Sequence, residues 1–276
     1  MTRSAITAAC ALAMGGLACF AVHAQPREPQ PLWEIGVGAL GVSQQAYPGA
    51  GTRVNRGLAL PYLVYRGEFV RADRDGLGVR AVNTPNFELD VGFAGTFGSD
   101  ADEVDARRGM PDLGTLVELG PRLKWHLGEG PARGRLRAEF ALRGVFDLSD
   151  GLSRKGTSFE PRLVYENRWG GWRYGTSASA IFGSRRLADT LYGVAPVYAT
   201  AARPAYMAES GLIALRLGAT AVRELSPNWR FFGFARVDSV AAAANRASPL
   251  VEKTYGASVG AGLVYTWARS ETMVGR

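Results

Sequence analysis

The sequence predicts an all-β fold: an antiparallel transmembrane β-barrel of about twelve strands, with ten as the alternative, behind a cleaved N-terminal signal peptide. Three observations carry this. Apolar and charged residues alternate with period two over long stretches, the connections between those stretches alternate between short and long, and all six tryptophans fall beside strand ends on one side. No later run approaches the roughly 20 apolar residues of a membrane helix, so a mature chain that crosses a membrane does so by strands.

The first residues read as an export signal. Arg3 gives a positive start, Ala5 to Val22 form an almost uncharged apolar run, and Val22-His23-Ala24 is a small-residue cleavage site before Gln25. A membrane helix is the weaker reading, because the run is rich in Ala and Gly and leads into the Pro-rich stretch Pro26 to Pro31 without a cationic stop signal. Leu17-Ala18-Cys19 resembles the end of a lipoprotein box, but Gly16 stands where such boxes carry an aliphatic residue. The expected organisation is residues 1–24 as signal peptide and 25–276 as one outer-membrane barrel, with short periplasmic turns and long extracellular loops.

Cys10 and Cys19 both lie in the signal, which removes disulfides and thiolate metal sites from the mature chain. His126 is then the only imidazole, so multi-histidine metal sites are excluded. The formal charge of +7 is spread among acidic residues without a basic block, and an exported protein is not expected to meet nucleic acid.

The strands follow from alternation. From Leu113 to Leu127 the odd positions carry Leu, Thr, Val, Leu, Pro, Leu, Trp and Leu, while Glu118, Arg122, Lys124 and His126 occupy even ones. The next stretch sets Arg133, Arg135, Arg137, Glu139, Arg143 and Asp147 against Leu136, Ala138, Phe140, Leu142, Phe146 and Leu148. A helix would smear both sets around its circumference. Applied throughout, the rule places strands near Trp33 to Val42, Val54 to Tyr65, Glu68 to Asp73, Leu77 to Val82, Asn86 to Phe97, Leu113 to Leu127, Arg133 to Leu148, Thr157 to Arg168, Trp172 to Phe182, Glu209 to Arg223, Trp229 to Ser239 and Thr254 to Trp267. Tight turns fall at Arg66-Gly67, Asn83 to Pro85, Gly128 to Pro131, Gly170-Gly171 and Ser226 to Asn228, and longer loops at Gln44 to Arg53, Gly98 to Asp112, Ser149 to Gly156, Gly183 to Ala208 and Ala241 to Lys253. Asp75-Gly76 is the exception, short on the long-loop side.

Trp33, Trp125, Trp169, Trp172, Trp229 and Trp267 all stand at the short-turn side, where indoles sit at headgroup level. A soluble barrel with tryptophan caps is the competing reading, but its apolar residues would point inward and its interior would be hard to fill. The last strand carries Gly262-Leu263-Val264-Tyr265-Thr266-Trp267, like the C-terminal signal read by barrel-assembly machinery, although Ala268 to Arg276 continue past it.

Several less generic strings occur in order: Leu60-Pro61-Tyr62-Leu63-Val64-Tyr65-Arg66-Gly67, Arg71-Ala72-Asp73-Arg74-Asp75-Gly76, Ala106-Arg107-Arg108-Gly109-Met110-Pro111-Asp112-Leu113, Leu191-Tyr192-Gly193-Val194, Tyr198-Ala199, Arg203-Pro204-Ala205-Tyr206, Phe232-Gly233-Phe234 and Ser248-Pro249-Leu250-Val251. With them the whole mature chain resembles the MipA/OmpV family of outer-membrane proteins. The resemblance implies similarity to the MltA-interacting scaffold, which links a membrane-bound lytic transglycosylase to a bifunctional penicillin-binding murein polymerase; other relatives are antigens or adhesins. It supplies no catalytic residues. The motif positions then read as structural, with Asp75-Gly76 a turn, Pro61 an edge or bulge residue, and Arg107, Arg108 and Asp112 a loop clasp.

The residues themselves offer little for catalysis. His126 shares its face with Lys124 and Arg122, which discourage its protonation without making a triad. Glu88, Asp90, Glu118, Glu139, Asp147, Glu160 and Glu166 share the inward parity, but Arg122, Arg135, Arg137, Arg143, Arg162, Arg168, Arg173 and Arg216 match them, so a crosslinked lumen and a narrow or occluded pore are expected. No catalytic, cofactor-binding or metal-binding residue is assigned, and the partner-binding residues stay open. Outer-membrane lipid is the expected solvent. Two functions remain: a scaffold working through its periplasmic turns, Gln25 to Leu32 and Ala268 to Arg276, or a narrow channel or surface-binding adhesin working through the lumen or loops such as Gly183 to Ala208, with Tyr192, Tyr198 and Tyr206.

Overall fold

The computed structural model describes residues 30–66, 70–73, 76–79 and 82–274. The expected signal peptide lies outside the described residues, as do Gly67 and Asp75 of two expected turns. The elements are β1 (Gln30–Pro31), β2 (Trp33–Gln45), β3 (Arg53–Arg66), β4 (Val70–Asp73), β5 (Gly76–Val79), β6 (Val82–Asn83), β7 (Phe87–Thr96), β8 (Leu116–Glu129), β9 (Arg135–Asp147), β10 (Ser153–Trp169), β11 (Trp172–Gly183), α1 (Arg185–Tyr192), β12 (Gly211–Glu224), β13 (Trp229–Ser239), β14 (Tyr255–Arg269) and β15 (Met273–Val274). No helix among the described residues is long and apolar enough to cross a membrane.

One antiparallel sheet runs β5-β4-β3-β2-β14-β13-β12-β11-β10-β9-β8-β7-β6. Its two end members, β5 and β6, stand two residues apart in the sequence, and β5 packs against β7, so the sheet closes on itself. Taken as one run, β5 and β6 give the twelve expected staves. Closure matters physically: inside lipid every backbone N–H and C=O needs a partner within the protein, and the ladder supplies them except along the β3–β4 seam, where β3 pairs only at Tyr65 and Arg66 among the described residues.

The distribution of side chains is the reverse of a soluble barrel. Leu63, Leu142, Leu163, Leu217, Val237 and Leu263 are exposed, whereas Asp90, Lys124, Glu139, Arg143, Glu160 and Asp238 are buried. An apolar outer wall around a charged interior is stable only where the outer solvent is hydrocarbon. All six tryptophans occupy outward parities at the short-turn end. Trp125 stacks on Phe87 with centroids 5.7 Å apart, Trp172 meets Phe231 edge-on at 5.8 Å, and Trp229 lies 4.9 Å from Tyr265. They form an aromatic belt at the short-turn end.

Three expectations shift. Arg133 is not on a strand: it lies with φ 58° in the turn Pro131–Arg133, and β9 begins at Arg135. The turn is held from across the ladder by the Tyr165 hydroxyl, which donates to the Pro131 carbonyl at 2.6 Å. Leu113 forms an isolated bridge with Ser99, and the ladder of β8 starts three residues later at Leu116. In the other direction, β10 begins at Ser153, ahead of the expected Thr157, and takes a register shift between Arg154 and Gly156.

Pro61 is paired with Val37 on one side. On its other side β3 meets β4 only at Tyr65 and Arg66 among the described residues, so Pro61 occupies a local edge where its missing N–H costs nothing. Beyond β4, toward the long loops, Arg56 spans the seam by donating to Glu103 at 2.6 Å and to the Gly98 carbonyl at 3.3 Å.

The two ends of the described residues meet at the short-turn end. β1 pairs antiparallel with β15, Leu32 donates to the Thr272 carbonyl at 2.8 Å, and Arg66 donates to the Pro31 carbonyl at 2.7 Å. The result is a two-stranded ribbon hung below β2 and β14.

Candidate functional site

The molecule's main apolar core lies at the long-loop mouth of the barrel. Tyr47 and Ala50 from the β2–β3 loop, Val104 and Met110 from the β7–β8 loop, Ala188, Tyr192, Val194 and Ala208 from the β11–β12 segment, and Leu250 from the β13–β14 loop pack together with inward rim residues Val54, Ile213 and Val240. Four separate connections thereby share one interior. Burying apolar surface in this way drives the loops together as it would the core of a small domain.

Helix α1 carries the closure inward. Ser184 caps it, its Oγ accepting from Leu187 N at 3.5 Å and from Thr157 N of β10 at 3.0 Å. Leu187 then packs on Leu116 of β8 and Val145 of β9, which share the faces of Arg122 and Arg143, so the helix lies across the mouth. Gly156 makes room for it, with φ +136° and a missing Cβ that would approach Ser184 Oγ at 2.5 Å and Leu187 N at 2.8 Å. Gly156→Ala should therefore push α1 out and destabilise the protein by about 1–3 kcal/mol, a loss readable in urea unfolding of the protein in lipid vesicles; an unchanged midpoint would show that the helix is not seated there.

Polar groups inside the loop cap are mostly spent on carbonyls. The Tyr47 hydroxyl donates to Leu250 O at 2.8 Å, the Tyr192 hydroxyl to Pro48 O at 3.0 Å and Ser248 to Tyr192 O at 2.7 Å. Burial pushes both phenols well above their ordinary range, so they remain donors at physiological pH. Asn245, 1% exposed, joins the β11–β12 segment by accepting from Glu209 N at 2.8 Å and donating to Glu209 O at 2.8 Å.

The expected clasp exists but is wired differently. Arg107 is buried, donates to Leu191 O at 3.4 Å and Pro111 O at 3.2 Å, and lies over the Tyr47 ring at 6.0 Å. Burial lowers the pKa of its guanidinium. Asp112 accepts from Ala101 N at 2.6 Å, and the exposed Arg108 pairs with Asp105 at 2.6 Å. Arg203 completes the clasp, donating to Ala106 O at 2.9 Å, Arg108 O at 3.0 Å and Tyr198 O at 2.8 Å. On the rim, the Arg56 hydrogen bond holds the Glu103 carboxyl below its usual range.

Below the cap the lumen is crosslinked. Arg122 takes both oxygens of Asp90 at 2.9 and 2.6 Å, and Lys124 bridges Glu88 and Asp90 at 3.2 and 3.0 Å. Arg137 joins Glu139 and Glu166, each at 2.7 Å; Arg143 spans Glu118 at 3.4 Å and Glu160 at 3.0 Å; Arg162 reaches Glu160 at 2.8 Å. Asp147 pairs with Lys155 at 3.5 Å, Arg135 with Glu166 at 3.8 Å and Arg173 with Glu224 at 3.4 Å. Arg168 is exposed at the short-turn rim. The carboxylates expected to point inward are thus brought together with cations.

His126 stands exposed at the same rim, level with Arg137, at a register shift in the β8–β9 ladder. Sequence reasoning missed the network on the ribbon side of the lumen wall, where Glu34 accepts from Arg66 at 2.6 Å and from Arg230 at 3.3 Å, and Arg230 also donates to the Tyr62 hydroxyl. Glu34 lies three residues after the Pro-rich stretch and is the only charged residue of its strand, and its inward parity was the available signal.

A closed, twelve-stave barrel with an apolar outer wall, an aromatic belt and a charged lumen is an outer-membrane β-barrel protein, resident in the Gram-negative outer membrane. A family model described as MltA-interacting protein MipA matches residues 35–267, and the chain belongs to that family. No curated protein sequence matches it. Among solved structures it is similar to the NanC porin, at 9% identity over 83% of this chain and 98% of that one with a TM-score of 0.40. It is also similar to OprB of Pseudomonas putida, at 8% identity over 85% and 94% with a TM-score of 0.41. A third is outer membrane phospholipase A of Escherichia coli, at 13% identity over 86% and 94% with a TM-score of 0.32. At these levels the likenesses add nothing to a functional reading.

Proposed function

We propose that the protein is a non-catalytic scaffold of the outer membrane that holds a lytic transglycosylase and a bifunctional murein polymerase together at its periplasmic face. The family supplies the first partner, since its members are described as MltA-interacting. The observation that carries the scaffold reading over a channel is the loop cap, because a mouth filled by a shared apolar core is a poor route for solutes. A protein closed to the outside works through what it shows the periplasm: the β1–β15 ribbon and the short turns around Trp169 and Trp229.

Deleting residues 271–276 removes one strand of the ribbon and leaves β14 whole. In pull-downs from solubilised envelopes, the full chain should recover both murein enzymes and the deletion should recover about tenfold less, the equivalent of about 1.4 kcal/mol of binding. Recovery of neither enzyme by the full chain would overturn the scaffold reading. Undiminished recovery by the deletion would move the docking surface to the turns.

A further inference from the structure

We propose that the lumen holds a binding site, reached from the periplasm, for a small monocarboxylate with a flat apolar body, the carboxylate at Arg236 and the body over Phe232 and Phe234. Four guanidiniums gather beneath the cap: Arg143, Arg162, Arg216 and Arg236. The carboxylates among them are Glu118, Glu160 and Asp238. Arg216 takes both oxygens of Asp238 at 2.6 and 2.8 Å, while Arg143 and Arg162 use Glu118 and Glu160. Arg236 has Arg216, Arg162, Asp238 and Glu160 around it, yet makes no hydrogen bond or ion pair with another described residue, and its buried Nε has no partner. One positive charge is left over.

The surroundings of that charge suit an amphiphile. Arg230, Phe232, Phe234, Arg236 and Asp238 follow one another along the inward face of β13. Phe232 and Phe234 lie over Gly262 and Gly260 of β14, where any side chain would overlap the rings. The glycine backbone thus supports one face of each ring, and the half-buried rings turn their remaining surface to the lumen. Across the ladder Arg236 is level with Gly218 and Ser258, and the Ser177 hydroxyl occupies the space a side chain at Gly218 would need. A guanidinium fork, flanking hydroxyls and an aromatic platform two residues away on the same face meet at one level.

The charge balance chooses the ligand. A monoanion neutralises the excess and matches the planar fork of Arg236 with two parallel hydrogen bonds. A dianion would overshoot and face Glu160 and Asp238. Access is from below, because the cap closes the other end while lumenal Thr220, Arg168 and Glu224 toward the short turns are exposed.

The test is calorimetric titration of the full chain in detergent with phenylacetate, with acetate as the charge without the body and benzyl alcohol as the body without the charge. Phenylacetate should bind saturably, with acetate and benzyl alcohol each at least about tenfold weaker. Arg236→Gln should weaken phenylacetate by about tenfold or more, Arg236→Lys by several-fold, and Phe234→Leu by several-fold. Arg168→Gln at the rim should leave it unchanged. Heat-modifiable electrophoretic mobility reports folding of each variant. Absence of saturable binding by the unaltered protein overturns the site, as does equal affinity in folded Arg236→Gln or, should that variant not fold, in both Arg236→Lys and Phe234→Leu.

Discussion

Tyr192→Ala should open the loop cap while leaving the barrel folded. Tyr192 is 1% exposed, meets the Tyr47 ring edge-on at 6.2 Å, donates to Pro48 O and lies in the interior shared by four loops. Truncating a buried aromatic removes its transfer free energy and leaves a cavity, about 3–5 kcal/mol in all. That is a large share of what holds loops that have no ladder between them. The barrel staves do not depend on it, because β11 and β12 pair directly from Trp172 to Gly183. In planar bilayers the unaltered protein should conduct little and the variant should show frequent openings, and on intact cells trypsin should begin to cut at Arg185 and Arg186. A variant that stays protected and silent would mean that the cap does not depend on its apolar core.

The barrel was legible in the sequence because its signal is redundant. Period-two alternation, turn lengths and six tryptophans each report strand direction and sidedness independently, and all three respond to the same outer solvent. The small errors, at Arg133, Leu113 and Ser153, lie where a bulge or turn ends alternation. The inward parity of Glu160, Arg143 and their neighbours was equally readable, since position along a strand fixes the face.

The cap was not read, although its signal was present. The strings containing Arg107, Tyr192, Arg203 and Leu250 stood out as unusual, but nothing local says that loops some 50 to 150 residues apart meet. A buried Asn245 and the apolar residues Val104, Met110 and Val194 are out of place in freely solvated loops, and that misfit was the available clue. A narrow or occluded pore was expected from salt bridges alone; the structure adds to them an apolar core shared by the loops at the mouth. The unpartnered Arg236 needs a three-dimensional count of charges, which no one-dimensional pattern gives.

Glu160→Gln should have the largest effect of any isosteric change in the lumen. Glu160 is 5% exposed and receives Arg143 at 3.0 Å, Arg162 at 2.8 Å and the Ser179 hydroxyl at 2.9 Å. The amide keeps the shape but removes the charge that two guanidiniums were desolvated to meet. Breaking a buried pair costs about 3–5 kcal/mol, chiefly through the partner left uncompensated. Arg143 retains Glu118 at 3.4 Å, which places the expected loss near the lower end of that range. Urea unfolding in lipid vesicles should show the loss, and the double change Arg143→Gln with Glu160→Gln should recover much of it, because one excess charge leaves with the carboxylate. Without that recovery the destabilisation would lie in the Ser179 contact instead of the ion pair. The single change also removes a negative charge close to Arg236, so at neutral pH it should tighten phenylacetate several-fold, even as it weakens the fold: stability and lumenal affinity are predicted to move in opposite directions.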